Sequence, residues 1–386
     1  MNWKPKTLIN IGFLIRTMNS FYNGFIGTSL GANADSISYH YRASNPWYQA
    51  DKHELFKFDD GILIDGSYIY IKFLQNIYDL TIGHLFIGSF VSSIFWYFSA
   101  LILLKSFNIL NVNINNQNKI CLFYSFLPST ILYTSIPLRE PFQLLFINII
   151  LYAFVCIYHK NKNNIGYWFL VIVSIYMAGA MHYSLLYSGI IGFFLMSLII
   201  ILKEIKSKLL VAPIILVLLF LSFNVFSSLY EKIYTLEVAE QVVKYQMGLI
   251  RAENNRALYR ASIALDNFSD FLLFVPISFL QYLTEPLPHR ISNFMDIALF
   301  FENLIRLYLI YNTVVSFKKI KNAQFGMIIF LYYIAIELIW SLGVNNWGTA
   351  SRHHIPSSGL LALCAFMYHF KSGNSLVNYG IKYKGS

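Results

Sequence analysis

Charge is scarce in this chain. Only 12% of its 386 residues are Asp, Glu, Lys or Arg, and 56% are hydrophobic. Soluble domains carry about 25% charged and about 45–50% apolar residues. A chain so poor in charge cannot cover a soluble surface, which excludes a cytosolic enzyme, a secreted disulfide scaffold and a disordered chain. Cysteine is scarce too. Cys121, Cys156 and Cys364 all sit inside apolar blocks, with neither a disulfide framework nor a zinc spacing. Repeats, Gly/Ser linkers and a soluble domain are missing as well. What is present is a mean hydropathy of +0.52 and apolar blocks of roughly 17–25 residues, the length of bilayer-crossing helices rather than of the ~10-residue strands of a barrel.

The expected fold is therefore all-α: a single polytopic membrane domain over residues 1–386. About ten spans are read at 7–26, 83–104, 120–136, 141–158, 166–182, 184–202, 209–226, 293–316, 325–342 and 356–370. The connections 1–6, 105–119, 159–165, 203–208, 317–324 and 371–386 carry 15 lysines, no arginine and one acid, Glu204, a net +14; the rest of the chain is −4, which together make the +10 of the whole. This positive-inside asymmetry places both termini in the cytoplasm. It also explains the basic charge as a topology signal, so no nucleic-acid partner is expected.

Arg16, Asn19 and Asn23 interrupt the first apolar stretch, so it reads as an uncleaved span rather than a signal peptide. The block 268–283 contains Pro276; were it a span, Lys318, Lys319 and Lys321 would fall outside, so it reads as an in-plane or re-entrant helix. Two outer segments are long, 27–82 and 227–292, and the last outer loop is 343–355. Ile69, Phe73, Ile77 and Leu80 recur at helix spacing in the first of them, as on a helix lying in the interface.

All nine arginines avoid the cytoplasmic connections. Arg16 and Arg306 fall within spans, and Arg42, Arg139, Arg251, Arg256, Arg260, Arg290 and Arg352 fall outside. The planar guanidinium grips phosphate or carboxylate in two places, so the outer set points to an anionic ligand, or to pairing with outer acids and headgroups. Asp35 follows the first span, as a helix cap or as a general base toward a sugar hydroxyl. Arg139 and Glu140 lie between Pro137 and Pro141, either as a surface ion pair or as positioned ligand contacts. The loop Asn345-Asn346-Trp347-Gly348-Thr349-Ala350-Ser351-Arg352-His353-His354-Ile355-Pro356 offers Arg352 for a phosphate and His353 or His354 for proton transfer, with Pro356 in the first turn of the next helix. No third ligand accompanies the histidine pair, so no metal is assigned. Within the spans, Glu302 and Arg306 are spaced to pair along one helix, and Arg16 and Glu337 to pair across the bundle. A transporter pathway would use such residues too.

In order, the motifs are Ala34-Asp35 with Tyr39-His40 and Ala43; Leu138-Arg139-Glu140; Asn255-Arg256-Ala257; Glu285-Pro286-Leu287-Pro288; and Gly348 to Pro356. This set resembles the multi-pass proteins of bacterial surface-polysaccharide clusters, the Wzy-type O-antigen polymerases and the GT-C-class glycosyltransferases. The resemblance implies an inner-membrane enzyme with its site facing the periplasm. Its substrate would be a polyprenyl-pyrophosphate-linked oligosaccharide or, in the GT-C case, a polyprenyl-phosphate sugar. It also implies membrane lipid around the site, with a chain-length regulator and a flippase as partners. Asp35 and His354 are then the candidate catalytic residues. Arg42, Arg139, Glu140, Arg256, Arg290, Arg352 and His353 are the candidates for substrate and pyrophosphate. Many GT-C enzymes carry paired acids where this chain has Asp35-Ser36, so a divalent metal is not expected. A lipid-linked oligosaccharide flippase is the non-enzymatic alternative.

Overall fold

A computed structural model describes residues 4–28, 34–45, 55–58, 61–64, 66–159, 164–204, 257–259, 268–319 and 323–367. The expected span 209–226 and Arg251, Arg256 and Arg260 lie outside the described residues. Helix α1 (Pro5–Phe25) starts with proline in its first turn, where a missing N–H costs nothing. The short α2 (Ala34–Ser44) follows, then a hairpin of β1 (Leu55–Phe58) and β2 (Gly61–Ile64) and the amphipathic α3 (Gly66–Leu80). In the hairpin Leu55 pairs with Ile64 and Phe58 with Gly61, and helices make up nearly all of the remaining described structure, as the all-α expectation has it. The buried face of α3 is Tyr70, Ile71, Leu74 and Tyr78, with Ile69, Phe73 and Ile77 packed at its edge, whereas Leu80 points away and is 87% exposed.

The bundle continues with α4 (Leu85–Ile109), α5 (Ile114–Phe126), α6 (Pro128–Tyr133), α7 (Glu140–His159), α8 (Ile165–Met181) and α9 (Tyr183–Glu204). After the undescribed stretch come α10 (Phe268–Thr284), α11 (Phe294–Lys319), α12 (Gln324–Gly343), α13 (Trp347–His353) and α14 (Ser358–Phe366). Among the described residues, α4, α7, α12 and the Tyr183–Ile200 part of α9 are long and apolar enough to cross a membrane, and Ile165–Met181 and Leu273–Thr284 are shorter apolar helices. The chain thus has the helices of a membrane protein. Helix α7 is the central one: it packs on α4 and α8 and is apolar around nearly its whole circumference. Helix α1 closes on α4 and α5, where Gly12 leaves no room for a β-carbon between Ser125 and Trp96.

One expected span is broken and another starts late. The stretch 120–136 divides at Leu127, which is extended, because Pro128 lacks the N–H that would continue α5 and starts α6 instead. The loop expected at 343–355 contains a short helix, α13, and the span expected from 356 starts at Ser358 after a turn at 354–357; Pro356 lies in that turn and not in the first turn of α14. The intraspan pairings also differ from expectation. Arg16 does not meet Glu337. Its guanidinium donates to Thr134 Oγ1 (2.7 Å) and to the carbonyls of Gly12 and Ser125 (both 2.9 Å), and it lies 3.5 Å over the Trp96 ring. A hydroxyl, two carbonyls and an aromatic face hold this buried cation without a carboxylate, while its Nη2 is buried with no hydrogen-bond partner. Glu302 takes the backbone N–H of Ser129 (2.6 Å), and Arg306 donates to Asn303.

Candidate active site

Three distant stretches meet at one polar cluster. Asp35 stands in the first turn of α2, Glu140 in the first turn of α7, and Arg352 in the last turn of α13. Each position suits its charge, since carboxylates are stabilised at helix N-termini and cations at C-termini. Asn346 sets the start of α13 by accepting from Gly348 N (2.7 Å) and Thr349 N (3.2 Å). Arg352 Nη1 then reaches Asp35 Oδ2 at 2.6 Å, across 317 residues. Its Nε and Nη2 converge on Glu140 Oε1 at 3.0 and 2.9 Å, across 212 residues. Glu140 Oε2 is buried without a hydrogen-bond partner. Burial alone would pull the Arg352 guanidinium down, but Glu140 and then Asp35 outweigh it and hold it above its ordinary value. The side chains of Arg352 and Glu140 are buried, whereas that of Asp35 is 55% exposed.

Arg139 precedes α7 and donates from Nη1 to the carbonyl of Met181 (3.2 Å), with its guanidinium carbon 5.9 Å from the centre of the Tyr39 ring. Beside it, His353 stacks on Trp340 at 3.7 Å, and His182 lies 4.1 Å from Trp340 and 6.0 Å from His353. Burial, and then His182 and Arg352, push His353 well below its ordinary value; burial and Arg139 push His182 down to about 3. Both rings are thus neutral near pH 7.

His354 faces another way. Its Nδ1 bonds Glu337, its Nε2 lies 3.3 Å from the Tyr282 carbonyl, and its ring rests 4.3 Å from that of Tyr282. Asp35 and His354 therefore belong to separate clusters. Arg42 lies at the far end of α2, about 10 Å along the axis from Asp35. Arg290 is engaged elsewhere, by Glu285 (3.8 Å) and the Tyr259 carbonyl (3.0 Å). Arg256 lies outside the described residues, but the segment after it docks on the α13 start: Trp347 N donates to Ala257 O (3.1 Å), and Tyr259 N to Asn345 O (3.0 Å). Sequence reasoning missed Tyr282, Ser357 and His182 as partners. For Ser357 the usable signal was the intraspan Glu337, a carboxylate that had to find a donor.

The cluster can orient a carboxylate. Asp35 is held by one oxygen, and Glu140 fixes the arginine that holds it. An incoming phosphate reaches Arg352 only by displacing a carboxylate, and Asp35 is the exposed one. Among the described residues no three His, Cys, Asp or Glu side chains converge as they would for a metal ion. Compared with known proteins, the chain matches no family model, no curated protein sequence and no solved structure.

Proposed function

We propose that this chain is a membrane glycosyltransferase of polyprenyl-linked glycans, and within that class the polymerase that joins oligosaccharide repeat units at the outer face of the bacterial inner membrane. The observation that supports the reading is the meeting of Asp35, Glu140 and Arg352, each from a different motif of the resemblance. In the proposed reaction Asp35 takes the proton of the acceptor hydroxyl. The acceptor oxygen bonds the anomeric carbon of the donor, and the bond to the lipid pyrophosphate breaks. The pyrophosphate leaves as an anion, stabilised by Arg139 and, once Asp35 lets go, by Arg352. Arg352 positions Asp35, and Glu140 positions Arg352. Ten spans, cytoplasmic termini and a periplasm-facing site belong to the same proposal.

The test is deletion of the gene, with the surface polysaccharide resolved on a gel, followed by complementation with the natural chain and with Asp35→Asn. Loss of the ladder with one repeat unit remaining supports the polymerase. A ladder of altered step size supports the GT-C-like transferase of single sugars. Loss of the ladder and of the single-unit band, with lipid-linked units trapped on the cytoplasmic face, supports a flippase.

A further inference from the structure

A second polar cluster lies inside the bundle, apart from Asp35. A cavity of about 30 Å³ opens in the bundle, lined by Thr130 beside the α5–α6 break, Glu302 and Arg306 of α11, and His354 and Ser357 of the turn before α14. A water needs roughly 10–15 Å³ of such space and a few polar partners, so about two waters fit. Irregular backbone in a membrane bundle is tolerated where it lines such a cavity.

Proton bookkeeping sets this cavity apart. The Tyr282 carbonyl can only accept, so the His354 nitrogen facing it, Nε2, carries a hydrogen. The other nitrogen, Nδ1, is hydrogen bonded to Glu337 Oε2. With Nε2 already protonated, that bond needs one more proton, shared between imidazole and carboxyl. The other Glu337 oxygen accepts from the Ser357 hydroxyl. Across the cavity, Glu302 gives one oxygen to Ser129 N–H, and its second oxygen, buried, has no partner. Counted with Arg306, the cluster is neutral while the pair keeps its extra proton. Losing that proton would leave a net negative charge in the interior, at a cost of several kcal/mol.

We propose that this cavity is a proton-binding site, in which the Glu337–His354 pair holds one proton and exchanges it with Glu302 through enclosed water. The transfer moves a proton from the pair to water and from water to Glu302 Oε2; no electrons move and the net charge is unchanged. It is uphill, because it leaves Nδ1 and the Glu337 carboxylate as two acceptors face to face, so the proton rests on the pair. The groups that face His354 and govern its titration are Arg306 and Glu302 from α11, Tyr282 from α10, Glu337 and Tyr333 from α12, and neighbouring His353. Burial, and then Arg306, hold His354 below its ordinary value even though Glu337 and the Tyr282 carbonyl pull the other way, so the shared proton rests on the hydrogen-bond geometry and not on the basicity of the ring.

The experiment is nitrogen-15 NMR of the full chain, histidine-labelled, in lipid nanodiscs. His354 is assigned by the signal lost in His354→Gln. Should that variant fail to insert, Ser357→Ala marks the same signal by its shift, since it removes only the hydroxyl on Glu337. The expected result is a ring protonated at Nε2 and sharing a second proton at Nδ1 from about pH 5 to 8, with no step near the ordinary histidine value. Glu337→Gln should abolish the shared proton, and Glu302→Gln should slow deuterium exchange of that proton at least about tenfold. A ring lacking the Nε2 proton, an ordinary titration near pH 6.5, or exchange indifferent to Glu302→Gln would overturn the proposal. None of these readouts depends on glycosyl transfer, so an inactive transferase leaves them unchanged.

Discussion

Arg352 meets two carboxylates of its own chain, and they are not equivalent. Asp35 is exposed and faces water, so its ion pair contributes only about 0–1 kcal/mol. Asp35→Asn keeps the shape and the oxygen acceptor. We expect the variant to insert normally and to lose about 100-fold or more in polymerisation rate if Asp35 is the base, read as chain length on a gel; normal chain length would remove Asp35 from that role. Glu140 is buried, and its removal strands the Arg352 charge. Glu140→Ala should cost about 3–5 kcal/mol, seen as early thermal unfolding in detergent; Glu140→Gln, which keeps an acceptor oxygen, should cost less. The two histidines at Trp340 set a pH response. Their folded values lie below the unfolded value of about 6.5. The unfolded chain therefore binds more protons below that pH, and stability falls as pH drops from about 6.5 toward the folded value of about 3 for His182. Melting curves from pH 7 to about 5 should show this loss, and His182→Gln should flatten it; an unchanged slope would show that neither ring is buried neutral. That Asp35, Glu140 and Arg352 stand beyond the ends of apolar blocks and apart from the lysine-rich connections was legible from the sequence. Their bonds to one another were not, since hydropathy gives depth in the bilayer but not rotation about each helix. Arg16 shows the same limit: its depth was legible, but not the carbonyls that hold it.

At the scale of elements, most unbroken apolar blocks were legible within a residue or two, whereas those read at 83–104 and 293–316 run on to Ile109 and Lys319. The block read at 141–158 forms Glu140–His159, and that at 325–342 forms Gln324–Gly343. The interruption inside the block 120–136 was not legible, although Pro128 marks it, because the hydropathy of the block as a whole outweighs one proline; the turn before α14 was legible almost in place, since the expected loop is 343–355 with Pro356 opening the next helix. At the interruption, Pro128 stops one helix and starts another, and Glu302 from α11 caps the new start through Ser129 N. This contact joins two elements 173 residues apart at the cavity wall. Glu302→Ala leaves the Ser129 N–H buried without an acceptor and should cost about 1–3 kcal/mol. Glu302→Gln retains an amide oxygen there and should cost clearly less. Denaturant titration of the two variants checks this. Equal stabilities would mean that water replaces the carboxylate and that the α6 start does not need Glu302.

At the scale of the whole molecule, the side on which each polar cluster faces depends on α10. It has 17 residues, about 25 Å of helix, somewhat short of the ~30 Å hydrocarbon core. It packs on α12 and α11, and Leu273, Ile277 and Leu280 form an exposed stripe at helical spacing. A helix in plane at the outer surface and a short tilted crossing both present such a stripe to lipid. Charge decides between them. With α10 in plane, Lys318, Lys319 and Lys321 fall on the same side as the other lysine-rich connections; with α10 crossing, they face outward, against the asymmetry of the rest of the chain. We expect reporter fusions after Asn164 and Ser207 to read cytoplasmic, a fusion after Asn255 to read periplasmic, and one after Asn322 to read cytoplasmic. The fusions at Asn255 and Asn322 carry the decision, because α10 and α11 lie between them. Opposite sides mean that only α11 crosses and that residues 343–355 return to the outer face with Arg352. The same side means that α10 crosses as well, which would carry the Asp35–Arg352 contact into conflict with the first span, since that contact requires residues 35 and 352 to share one side of the membrane.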